Sequence, residues 1–92
     1  MTDIKYTSED IERIFKERVN YIQKKADIKP GVICEWSFKY PNGQITVDVV
    51  SAFPISPENF DPDIGLDVCH AKIKDKLWEI CGKYSLITGE KL

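Results

Sequence analysis

Apolar residues nowhere run to anything near the ~18 that a membrane-spanning helix needs, which excludes a helical membrane protein. The first seven residues are polar and do not open a signal peptide, so the expected compartment is the cytoplasm. Positive charge is also short: 13 Lys and Arg stand against 15 Asp and Glu, for a net charge of −2. A general phosphate-backbone binder draws its affinity from clustered cations, so nucleic acid is an unlikely partner. The 5 glycines are scattered and form no phosphate-cradling loop. With 1 histidine, 3 cysteines and no Cys-x-x-Cys spacing, the chain lacks a zinc-site pattern. On one helix Cys69 and Cys81 would stand ~18 Å apart at 1.5 Å per residue, too far to share a metal. Neither metal nor cofactor is expected, and an odd number of cysteines in a reducing compartment reads as free thiols.

What is present describes one globular domain over residues 1–92. Hydrophobic residues make up 42% and charged residues 30%, ordinary values that argue against disorder. Thr7-Ser8-Glu9-Asp10 supplies an N-cap hydroxyl and acidic first-turn residues. Ile11, Ile14, Phe15, Val19 and Ile22 then recur at spacings of three and four, which predicts an amphipathic helix over 8–26, stopped by Lys29-Pro30-Gly31. Residues 32–52 read as a β-hairpin closed by a two-residue turn at Asn42-Gly43. That turn would set Tyr40 against Ile45, Phe38 against Val47 and Trp36 against Val49 on one face. Asp61 and Pro62 suit the start of a second helix, expected to run to about residue 84, with Gly65 weakening its start and Gly82 a candidate end or bend. Its apolar residues spread wider than one packed face requires, so it needs two partners: the sheet as one, and either the first helix or a second copy of the chain as the other. The expected class is α+β: an N-terminal amphipathic helix, a central antiparallel β-hairpin and a long C-terminal helix.

No constellation is catalytic by pattern. His70 beside Cys69 would point about 100° away from it on a helix, which suits a rim histidine next to a buried thiol better than a nucleophile and base. Glu58, Asp61, Asp63 and Asp67 cluster at a helix start, where carboxylates complement the dipole without any chemistry; an acid–base pair is the enzymatic alternative. Asn59-Phe60-Asp61 reads either as a shaped helix entry or as a binding loop. On the second reading Ser51, Asn59 and Asp61 are the ligand-binding candidates, near Phe53. Ile73, Leu77, Trp78 and Ile80 are the candidate oligomer interface.

Asn42-Gly43, Val47, Ser51-Ala52, Pro57, Asn59-Phe60-Asp61, Ile64-Gly65, Ala71, Lys76, Trp78 and Gly82 together resemble a family of small tailed-phage proteins. That family is typified by gene product forty-nine of phage N-four and gene product sixty-six of phage Sf-six. The resemblance covers roughly the C-terminal two-thirds, and Cys81 and Lys83 depart from the family's usual acidic-glycine-aromatic ending. It implies a phage or prophage accessory protein in the bacterial host cytoplasm, with no catalytic residues to carry over. The resulting expectation is a non-enzymatic homo-oligomer that binds a host protein or a small nucleotide ligand in host takeover or counter-defence. A small nucleic-acid-binding regulator using Arg13, Lys16, Arg18, Lys24 and Lys25 is the alternative.

Overall fold

The computed structural model describes residues 4–25, 30–54, 58 and 61–92. Ala26, Lys29, Pro57, Asn59 and Phe60, named above, lie outside the described residues. Five elements follow in order: α1 (Ser8–Arg18), β1 (Val19–Lys25), β2 (Val32–Lys39), β3 (Ile45–Ala52) and α2 (Pro62–Thr88). The architecture is α+β, with a three-stranded antiparallel sheet of order β1-β2-β3.

A reciprocal capping box opens α1. The Thr7 hydroxyl accepts from the Asp10 N–H at 3.2 Å, and the Thr7 N–H donates to Asp10 Oδ2 at 2.8 Å. That N–H, aided by Lys91 at 2.9 Å, holds the Asp10 carboxyl down at about 2. The stability it contributes is present above about pH 3.8 and is lost as pH falls through about 2.

The helix predicted over 8–26 ends at Arg18, and Val19–Lys25 is a strand instead. Helical spacing correctly places Ile11 and Ile14 in the core, but Ile22 is 60% exposed on the far side of the sheet. Val19, Tyr21 and Ile22 are β-branched or aromatic, and all seven residues of β1 pair with β2 from Val19↔Phe38 to Lys25↔Val32. That ladder satisfies a second edge of β2, which a continued helix would leave open.

The predicted register of the second hairpin is also corrected, by one residue. Gly43 N–H donates to the Tyr40 carbonyl at 2.9 Å, and Tyr40 N–H donates to the Gln44 carbonyl at 2.8 Å. Pro41-Asn42-Gly43 is therefore a three-residue loop, with Gly43 at φ 91° supplying the left-handed residue that such loops require. Phe38 consequently pairs with Thr46, Ser37 with Val47 and Trp36 with Asp48. Because side chains alternate, the shift moves Ile45, Val47 and Val49 off the face that carries Trp36 and Phe38.

Val32, Cys34, Trp36 and Phe38 form the buried face of β2. Across from them α2 presents Cys69, Ile73, Leu77, Cys81 and Ser85, a buried stripe at four-residue intervals. Gly65 sits where a Cβ would come within 2.7 Å of Val32, so its lack of a side chain lets α2 close onto the sheet. Gly82 does not end the helix, which continues to Thr88 and is capped by Gly89 at φ 72°, whose N–H donates to the Ser85 carbonyl. The second partner of α2 is α1, through Ile11 and Ile14.

Two substitutions separate this register from the predicted one in urea denaturation. Phe38→Ala lowers stability by about 3–5 kcal/mol, whereas Val47→Thr stays within about 0.5 kcal/mol. Gly82→Ala adds about 1 kcal/mol, since a Cβ there meets nothing within 4 Å and the substitution removes a mid-helix glycine.

Candidate functional site

The end of β3 and the first turns of α2 converge on a cleft of about 190 Å³. Ala52, Phe53, Pro54, Ile64 and Val68 line it with apolar groups, Ile64 largely exposed, and Asp61 and Lys72 add charge. Phe53 is held at the mouth because its ring lies over Gly31, where a Cβ would fall within 2.2 Å of the ring. The Lys72 ammonium donates to the Ser51 carbonyl, which ties α2 to the end of β3. Asp61 caps α2, its carboxylate accepting from the Asp63 N–H at 2.9 Å. An apolar cavity of ~150 Å³ accommodates one benzene-sized molecule, so the cleft suits a single ring or a short branched aliphatic group.

Of the predicted ligand-binding residues, Asp61 lines the cleft and Ser51 adjoins it through Lys72. Asn59 falls outside the described residues. The bridge that Lys72 makes from α2 to the sheet depends on tertiary placement that spacing does not reveal. Of the predicted interface residues, Ile73 and Leu77 are fully buried under the sheet and Ile80 is partly buried against the same core. Ile73 and Leu77 have no free surface for a second copy. Trp78 remains 43% exposed.

Cys69 and His70 do not face each other. The thiol is fully buried and points at the Val32 carbonyl at 3.7 Å. The imidazole instead stacks edge-on against Tyr21 at 4.7 Å and Phe15 at 5.2 Å between ring centres. Burial, with the neighbouring Cys69 adding to it, pushes the Cys34 thiol up to about 11, and burial likewise raises Cys81 to about 11. Neither is a nucleophile at neutral pH. No group of three or more His, Cys, Asp or Glu able to hold a metal occurs among the described residues. No helix among them is long and apolar enough to cross a membrane.

The basic residues of α1 are interleaved with carboxylates. Arg13 pairs with Glu17 at 3.2 Å and Lys74 with Glu12 at 2.8 Å, while Arg18 donates to the Lys39 carbonyl. Lys24 and Lys25 lie on β1 rather than on the helix, so the five cations grouped above do not share one helical face.

Compared with known proteins, the chain matches no family model, no curated protein and no solved structure. The likeness to small phage proteins rests on the quoted residues alone.

The buried thiols set a measurable pH response. Unfolded cysteines ionise near 9.0 and Cys34 and Cys81 near 11 in the fold, so stability falls as pH rises through that interval. Melting temperature measured from pH 8 to pH 11 declines less steeply in Cys34→Ala/Cys81→Ala than in the parent. At pH 7 a chromogenic disulfide reagent modifies the native protein far more slowly than the urea-unfolded chain.

Proposed function

We propose that the protein is non-enzymatic and acts by stoichiometric binding, as a homo-oligomer, with the cleft between β3 and α2 seating a ring-sized group of its ligand. The observation that carries this reading is the composition of the cleft. Its lining is mainly apolar and its charged groups each make a structural contact: Asp61 caps α2 and Lys72 holds the Ser51 carbonyl. Beyond these contacts Asp61 keeps one carboxylate oxygen and Lys72 two ammonium hydrogens with which to orient a ligand, and among the described residues no histidine or cysteine lines the cleft. A ring on the apolar lining, with donors and acceptors of its edge met by Lys72 and Asp61, is the chemistry of a nucleobase or of an aromatic anchor on a protein. The resemblance to small phage proteins extends the proposal to a phage or prophage accessory role in host takeover or counter-defence, in the bacterial host cytoplasm. A nucleotide signal or a host protein is then the partner that is sequestered or blocked.

Thermal stability against a panel of cyclic and ADP-ribose-derived nucleotides tests the nucleotide form of this proposal. A ligand at one hundred times its dissociation constant adds about 2.7 kcal/mol, and each kcal/mol shifts a domain of this size by about 4–8 °C. The expected result is a shift of that order with one nucleotide, lost in Val68→Trp, which fills the cleft, and reduced in Lys72→Met. The ligand is recovered chemically unchanged. Conversion of the ligand to a product overturns the non-enzymatic reading, and a shift unaffected by Val68→Trp overturns the assignment of the cleft.

A further inference from the structure

Away from α2, the sheet presents an open face. Strand pairing groups there Ile22 with Glu35 and Val49, Asn20 with Ser37 and Val47, and Lys39 with Ile45. Ile22, Ile45, Val47 and Val49 are 60%, 60%, 63% and 55% exposed, so four aliphatic side chains of one surface face water together. Scattered apolar residues are ordinary on a protein surface, but a contiguous set marks a contact.

The free edge of β3 is a poorer docking place than this face. Tyr40 and Gln44 share a ladder hydrogen bond, so the even-numbered residues of β3 bond to β2 and the odd-numbered ones turn their backbone groups outward. Two of those outward groups already have side-chain partners. The Asp48 carboxylate accepts from the Val49 N–H at 2.8 Å, and Lys72 donates to the Ser51 carbonyl. An added strand would have to displace both.

We propose that a second copy of this chain docks on the open face, β2 over β2, about a two-fold axis that crosses the strands at the Ser37–Val47 row. Charge complementarity selects this occupant and this axis. With the two β2 strands antiparallel about Ser37, Glu35 of each copy stands over Lys39 of the other, giving two ion pairs. The same operation sets Ile45 over Val49 of the second copy and Val47 over its own counterpart. A two-fold along β2 would instead bring Glu35 onto Glu35. Neither Glu35 nor Lys39 makes a side-chain ion pair within the chain among the described residues, so both are available. Such a contact is isologous and closed, so it ends at a dimer. Strands of 7 to 8 residues at ~3.4 Å per residue, three abreast at ~4.8 Å, give a footprint of roughly 400 Å² per copy. Stable complexes bury about 800 Å² per partner, which places this dimer in the weak, reversible class.

Sedimentation velocity of the full chain from about 1 to 300 μM reads the contact directly, in the range where weak dimers dissociate. The expected result is a concentration-dependent shift from monomer to dimer. Val47→Asp, which sets two carboxylates together on the axis, abolishes the shift. Glu35→Lys and Lys39→Glu each weaken association roughly tenfold or more by facing like charges, and combining them restores it, because the pair is rebuilt with its signs exchanged. All of these positions are exposed, and unchanged melting curves verify that the variants fold. A chain that stays monomeric throughout the range overturns the proposal. So does a dimer indifferent to Val47→Asp, or a double charge reversal no better than the single ones. This contact deepens the homo-oligomer part of the proposed function, and a monomeric chain removes that part; because the cleft plays no part in the contact, ligand binding there stands or falls separately.

Discussion

Turn geometry at Pro41-Asn42-Gly43 sets the register of the β2–β3 pair, and through it the side of the sheet on which every residue of β3 stands. A three-residue loop needs one residue at positive φ, and Gly43 provides it at 91°. With that loop, Thr46, Asp48, Val50 and Ala52 share the face of Trp36 and Phe38. The core side of β3 is thus polar toward the hairpin tip and apolar only at Val50 and Ala52. α2 closes on the sheet hardest near this apolar end, where Gly65 abuts Val32. The cleft forms where the chain leaves β3.

The long helix completes the domain from both of its sides. Cys69, Ile73, Leu77 and Cys81 follow an i, i+4 row inclined to the helix axis and pack into the common core, while α1 covers the flank with Ile11 and Ile14. The buried stripe of this helix is thereby absorbed within one chain, while Ile64, Val68, Trp78, Leu86 and Ile87 of the same helix stay exposed. A further uncovered aliphatic surface lies on the sheet, a consequence of the hairpin register.

The parts of the fold legible in the sequence are those fixed by local chemistry. Thr7 and Asp10 announce the start of α1, Asp61-Pro62 the start of α2, and Asn42-Gly43 the hairpin, because each acts through backbone geometry over three or four residues. β1 is hidden because Val19 fits both helical and strand periodicities, and only pairing with β2 decides between them. Loop length is hidden as well: Asn-Gly suits a two-residue turn, yet Pro41 and the hydrogen bonds of Tyr40 favour three. At the cleft, Asp61 is readable as a polar group at a helix start and Ser51 as a hydrogen-bonding group near Phe53. Lys72 is not, since its partner lies 21 residues away on another element.

The segment after Gly89 is fastened back onto the beginning of the fold. Leu92 N–H donates to the Tyr6 hydroxyl, Arg13 donates to the Leu92 carbonyl at 2.7 Å, and Tyr6 and Ser85 share a hydrogen bond. These bonds span 79 to 86 residues of chain, in contrast to the hairpin turns. Contacts of such separation form late, since the closure entropy of the whole intervening chain must first be met. The two ends of the described chain therefore brace one another, so a change that frees Leu92 also strips Tyr6 and Arg13 of their partners there.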